Sequence, residues 1–124
     1  MRAMALTKRR TGFAAASLAL VLAATAAEAR PAYIGKWATT AAQCRLPPSS
    51  ENAPIVMTRW TFDQYETHCV LRNIAGGRNL WTAKARCVSS GNITQTRVTL
   101  YATAMGLSLK WREAHVADNN VRCR

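Results

Sequence analysis

Residues 66–89, ETHCVLRNIAGGRNLWTAKARCVS, set out a hairpin and its own covalent lock. Two runs with period-two patterning flank Gly76-Gly77, a pair that takes the positive φ of a tight reversal with no Cβ to clash. With Gly77, Arg78 and Asn79 as the loop, Gly76 faces Leu80, Leu71 faces Ala85, and Cys69 faces Cys87 across the ladder. Cys69, Leu71, Trp81, Ala83, Ala85 and Cys87 then share a small, apolar, inward face. Val70, Arg72, Ile74, Thr82, Lys84, Arg86 and Val88 share the outer one. A slip of one residue would put the two cysteines on opposite faces, out of disulfide reach.

Upstream, the chain begins with a segment that reads as a secretory signal. Arg2, Lys8, Arg9 and Arg10 precede an apolar run over residues 13–24, and Ala27-Glu28-Ala29 forms an A-x-A cleavage site. Cleavage after Ala29 divides the chain into a signal, residues 1–29, and one domain, residues 30–124; a site after Ala26 would add three residues to that domain. The apolar run is well short of the ~20 residues that span a bilayer, and no stop-transfer segment follows. No membrane span is expected. Twin-arginine export fits Thr11-Gly12-Phe13 poorly.

The exported part is small enough that its core alone would be marginal. Its four cysteines are an even count in an exported chain, which reads as two disulfides. The hairpin register pairs Cys69 with Cys87, and elimination pairs Cys44 with Cys123. Metal binding is disfavoured: there is no C-x-x-C, and neither His68 nor His115 lies at zinc-ligand spacing from two cysteines. No cofactor is expected. Residues 30–124 hold thirteen basic and five acidic side chains, a net of +8, which favours attraction to anionic surfaces.

Residues 30–54 read as mostly irregular, with an exposed Pro/Ser-rich loop at LPPSSENAP, residues 46–54. IVMTRWTF, residues 55–62, reads as one long strand with Val56, Thr58, Trp60 and Phe62 on one face and Ile55, Met57 and Arg59 on the other. Asp63-Gln64 makes a turn into the hairpin, and Ser89-Ser90-Gly91-Asn92 the next. ITQTRVTLYA then alternates, and LSLKWR puts Leu107, Leu109 and Trp111 on one face with Ser108, Lys110 and Arg112 on the other. A turn at Asp118-Asn119-Asn120 leads to a last short strand ending at Cys123. The fold class is all-β: about six strands in a small antiparallel meander that closes into a barrel, with an oligonucleotide-binding-type barrel or a short sandwich as alternatives.

Gly35-Lys36-Trp37 resembles the G-x-W of lipocalin-type barrels, which implies a tryptophan closing one barrel end. The layout of Gly35, Trp37, Cys44, Cys69, Trp81, Cys87 and Cys123 resembles small uncharacterised exported proteins of alphaproteobacteria. That resemblance implies a periplasmic, disulfide-bonded barrel and brings no activity with it.

Catalytic material is sparse. Glu113, His115 and Asp118 are the one acid/base cluster the sequence offers, and a solvated turn of mixed charge explains it better. No nucleophile or phosphate-loop signature is present. His68 alternates with Cys69 and so points outward. Trp60, Trp81 and Trp111 have basic neighbours, as base-stacking platforms do. Core packing is the preferred reading, and nucleic acid is not the favoured partner. Asn92-Ile93-Thr94 is a glycosylation sequon in form only, since the signal looks bacterial.

The outer hairpin face is more informative. Arg72 lies opposite Lys84 and diagonal to Arg86, with Arg78 at the tip, and like charges set across a ladder cost stability unless something anionic meets them. The sequence thus leads to an exported monomer of the periplasm or exterior, a non-catalytic binding module with an anion-binding set of Arg72, Arg78, Lys84 and Arg86. Its partner would be an envelope polyanion or a secreted protein. The alternative is an inhibitor of a secreted hydrolase presenting the 46–54 loop, preorganised by the staples.

Overall fold

The computed structural model describes residues 29–124 together with Gly12, Ala14 and Ala16; the rest of the expected signal lies outside the described residues. Eight strands form one closed antiparallel barrel in chain order. They are β1 (Gly35–Ala38), β2 (Ile55–Met57), β3 (Thr61–Gln64), β4 (Thr67–Gly77), β5 (Leu80–Ser89), β6 (Asn92–Ala102), β7 (Gly106–Trp111) and β8 (Asp118–Arg122). A 3-10 helix, Ala42–Arg45, lies between β1 and β2. The barrel closes where β8 returns to β1, Trp37 opposite Arg122 and Ala38 opposite Val121. Among the described residues no helix is long and apolar enough to cross a membrane.

The fold class is the expected one, with eight strands in place of six. One added strand is β1, around the G-x-W. The other arises because IVMTRWTF is not one strand: it turns at Thr58-Arg59-Trp60, and β3 folds back on β2 with Met57 opposite Phe62. Thr58 makes the turn. Its N–H donates to the Thr61 carbonyl, while its Oγ1 accepts from the N–H groups of Trp60 and Thr61. A threonine hydroxyl offers the backbone partners that a ladder would otherwise supply. The turn reverses the expected faces: Ile55, Met57 and Phe62 are all buried, whereas Val56 and Trp60 are exposed. Two other expected turns also move. Asp63 and Gln64 belong to β3 and the reversal falls at Tyr65-Glu66, with Tyr65 at φ 48°. Asp118, Asn119 and Asn120 lie within β8.

The central hairpin keeps its predicted register around the disulfide and loses it near the tip. Cys69 opposes Cys87, Leu71 opposes Ala85 and Arg72 opposes Lys84; beyond a bulge at Asn73-Ile74, Ala75 opposes Thr82 and Gly76 opposes Trp81. Asn73 takes φ 50°, a conformation asparagine tolerates better than most residues. The loop is therefore Arg78-Asn79, two residues rather than three. Gly76 holds φ 132°, and a Cβ there would stand 2.1 Å from the Leu80 carbonyl oxygen. Gly76→Ala is expected to destabilise the fold by about 3 kcal/mol. A urea midpoint within error of the wild type would refute this account of the tip.

The interior is filled with side chains, as suits a barrel of this strand number. Trp37, Tyr33, Met57, Leu71, Leu100, Leu107, Leu109 and Val98 are fully buried. Small residues on β5 and β6, Ala83, Ala85 and Ala102, make room for them. Phe62 and Trp111 meet edge to face at 5.4 Å, and Tyr33 and Trp81 at 5.1 Å. The disulfides are Cys69–Cys87 on the inward hairpin face and Cys44–Cys123, which ties the 3-10 helix to the residue after β8. Two such bonds suit a chain that folds in an oxidising environment.

The seam end of the barrel has its own clamp. Trp37 donates from Nε1 to the Tyr33 carbonyl, 2.9 Å, and the Arg122 guanidinium lies 4.2 Å above the Trp37 ring. The same guanidinium donates to the carbonyls of Ala32, Ile34, Thr103 and Ala104. One side chain thereby binds the segment before β1 to the β6–β7 turn. Gly35 keeps the space open, since a Cβ there would come within 2.7 Å of Arg122 Nη1.

Candidate anion-binding face

The outer face of β4, β5 and β6 is set by the alternation that buries Cys69, Leu71, Ala83, Ala85, Cys87 and Val98. The residues between them must point outward, and several are cationic. Arg72 is opposite Lys84, and Lys84 is opposite Arg97. Arg112, just past β7, donates its N–H to the Arg97 carbonyl at 2.9 Å and so extends the same line. Four cationic residues therefore stand abreast on four neighbouring chains, about 4.8 Å apart from strand to strand, a row about 14 Å long. Arg86 stands one step along β5, between Val70 and Gln95. All five line one shallow concavity of about 320 Å³.

Neighbouring unit charges at this spacing repel by about 1 kcal/mol in water, less with salt. Among the described residues, none of the five side chains donates a hydrogen bond or joins an ion pair. The acid at the rim, Glu113, accepts from Thr96 Oγ1 at 2.5 Å. That bond, followed by its own backbone N–H and by Arg112 and Lys110, holds the Glu113 carboxyl below its usual range. It remains an anion in neutral water, one against five.

Of the anion-binding residues expected from the sequence, Arg72, Lys84 and Arg86 come together. Arg78 does not: it sits in the two-residue tip at φ 58°, away from the concavity. Arg97 and Arg112 were not foreseen. The signal for Arg97 was present, because pairing Ser89 with Asn92 about Ser90-Gly91 carries Lys84 directly to Arg97.

The acid/base candidates are dispersed. Glu113 is taken by Thr96, Asp118 lies in β8 opposite Leu109, and His115 is exposed in the connection between β7 and β8. His68 does find an acid, with Nδ1 2.5 Å from Asp63 Oδ1, on a half-open surface beside Pro48, Pro54 and Val56. Among the described residues no group of three or more His, Cys, Asp or Glu is placed to hold a metal ion. Trp81 is buried and Trp111 half-buried against Phe62, as a core role requires, but Trp60 is 57% exposed and leaves the core set. The 46–54 loop is held rather than loose: Ser50 bonds Pro47, Ala53 bonds Ser50, and Gln64 Nε2 donates to the Ala53 carbonyl.

Compared with family models, with curated proteins and with solved structures, the chain finds no match.

Proposed function

We propose that this chain is an exported, monomeric, non-catalytic binding module of the cell envelope, working in the periplasm or outside the cell, that recognises anionic ligands through Arg72, Lys84, Arg97 and Arg112. The observation that carries the reading is the row itself, four like charges abreast whose side chains, among the described residues, form no ion pair or hydrogen bond, with Glu113 at the rim. Such an array destabilises the free protein slightly and is repaid when an anion arrives. Arginine suits the task, since its planar fork grips phosphate or carboxylate oxygens in pairs.

Binding of inorganic polyphosphate to the oxidised protein should weaken linearly on a log–log salt plot. Four contacts give a slope of about −3, using the per-charge value of flexible single strands. Lys84→Ala with Arg97→Ala should roughly halve that slope and lower affinity more than tenfold, without lowering the melting temperature, because the change relieves repulsion. Affinity that ignores salt, or survives this double change, would end the proposal.

A second reading, inhibition of a secreted hydrolase, draws support from the internal hydrogen bonds of the 46–54 loop. It predicts a stoichiometric complex, stable at high salt, that is abolished by changes at residues 47–54.

A further inference from the structure

The cationic row does not stand alone on its face. Toward the β5–β6 turn, the outward positions of the same three strands hold three aliphatic residues, beside His68 and Gln95. Val88 of β5 directly opposes Ile93 of β6, and Val70 of β4 lies one step away, opposite Arg86. Their exposures are 36%, 58% and 44%. Trp60 stands at the margin, its carbonyl accepting from the Leu71 N–H between Val70 and Arg72. From Val88 to Lys84 the change from aliphatic to cationic takes four residues, about 13 Å of strand.

Resting on the anion-binding reading above, we propose that this face docks flat on the surface of an anionic lipid bilayer. The row meets the headgroup phosphates, while Val70, Val88, Ile93 and Trp60 settle into the boundary between headgroups and acyl chains. Charge chooses this occupant over a second copy of the chain, because face-to-face pairing would set five cations against five. The aliphatic half chooses it over a free polyanion, which offers such side chains nothing to bury against. Surface attachment of this kind combines apolar burial with attraction to anionic lipid, and tryptophan favours that interface. At this end of the face Asp63 pairs with His68, which opposes Val88, and Glu66 accepts from Ser90 Oγ.

The test is sedimentation with vesicles of phosphatidylcholine alone or mixed with phosphatidylglycerol, alongside polyphosphate binding by the same protein. Wild type should bind the anionic vesicles only, with a blue-shifted tryptophan emission that Trp60→Phe removes. Each row cation changed to alanine should cost about fivefold at low salt. Val88→Ser with Ile93→Ser should cost about tenfold on vesicles and leave polyphosphate binding unchanged. Polyphosphate binding without vesicle binding, or vesicle binding indifferent to the serine pair, would overturn the lipid proposal and leave the anion reading standing. Loss of both ligands in wild type would overturn both.

Discussion

Replacing Cys44 and Cys123 with alanine is expected to lower unfolding stability by about 4.5 kcal/mol, more than the about 3 kcal/mol expected for Cys69 and Cys87. Cross-linking removes loop-closure entropy from the unfolded chain, and the cost of closure grows with the loop. The two bonds close separations of 79 and 18 residues. Position should widen the gap. The Cys69–Cys87 pair lies in a hairpin whose ladder also holds the two strands together, whereas Cys44–Cys123 sits beside the short β1–β8 seam, where two residue pairs complete the barrel. Against a total stability of ~5–10 kcal/mol, the first loss removes roughly half or more of the margin. Denaturant titration of the two double variants decides it, and an inverted order would mean that the unfolded chain is not the flexible reference assumed.

Arg122→Ala should follow at about 4 kcal/mol. The side chain is only half-buried, so each of its four carbonyl contacts counts for less than an enclosed charged hydrogen bond, and two are long at 3.3 and 3.4 Å. Its place above Trp37 adds about 1 kcal/mol. The loss would also leave the Ala32 and Ile34 carbonyls without this donor. Arg122→Lys should recover less than half, because an ammonium cannot lie flat on the indole and reach both sides of the seam. Full recovery by lysine would show that charge alone matters there. Thermal melts of the two variants, with polyphosphate binding as a control for the distant cationic row, separate the outcomes.

These effects mark where the fold was legible in the sequence. The faces of the central hairpin could be read because two independent constraints agree, the alternation and the need for Cys69 to meet Cys87. The bulge at Asn73 could not, since one residue adopting positive φ leaves no mark on composition yet shifts everything toward the tip. Thr58 hid a turn for a similar reason: alternation happens to continue through Thr58-Arg59-Trp60, so two strands read as one. Trp37 was flagged by its glycine, but Arg122 was not, because its hydrogen-bond partners lie up to 90 residues away and are all backbone carbonyls. The cationic site was half visible. Arg72, Lys84 and Arg86 follow from one hairpin, whereas Arg97 and Arg112 require the register to be carried across two more turns.

The seam has a consequence for how the chain matures. A protein that reaches the oxidising side of a membrane N-terminus first exposes Cys44 long before Cys123, and the thiols it meets next are Cys69 and then Cys87. Oxidation in order of appearance would join Cys44 to Cys69, a bond the finished barrel does not contain. The β4–β5 hairpin is the local structure that prevents this, since it holds Cys69 against Cys87 as soon as both have emerged. Maturation is thus a race between a microsecond hairpin and a far slower thiol chemistry. Changes that delay the hairpin, such as those at Gly76, should raise the share of mispaired cysteines in addition to destabilising the correctly paired protein.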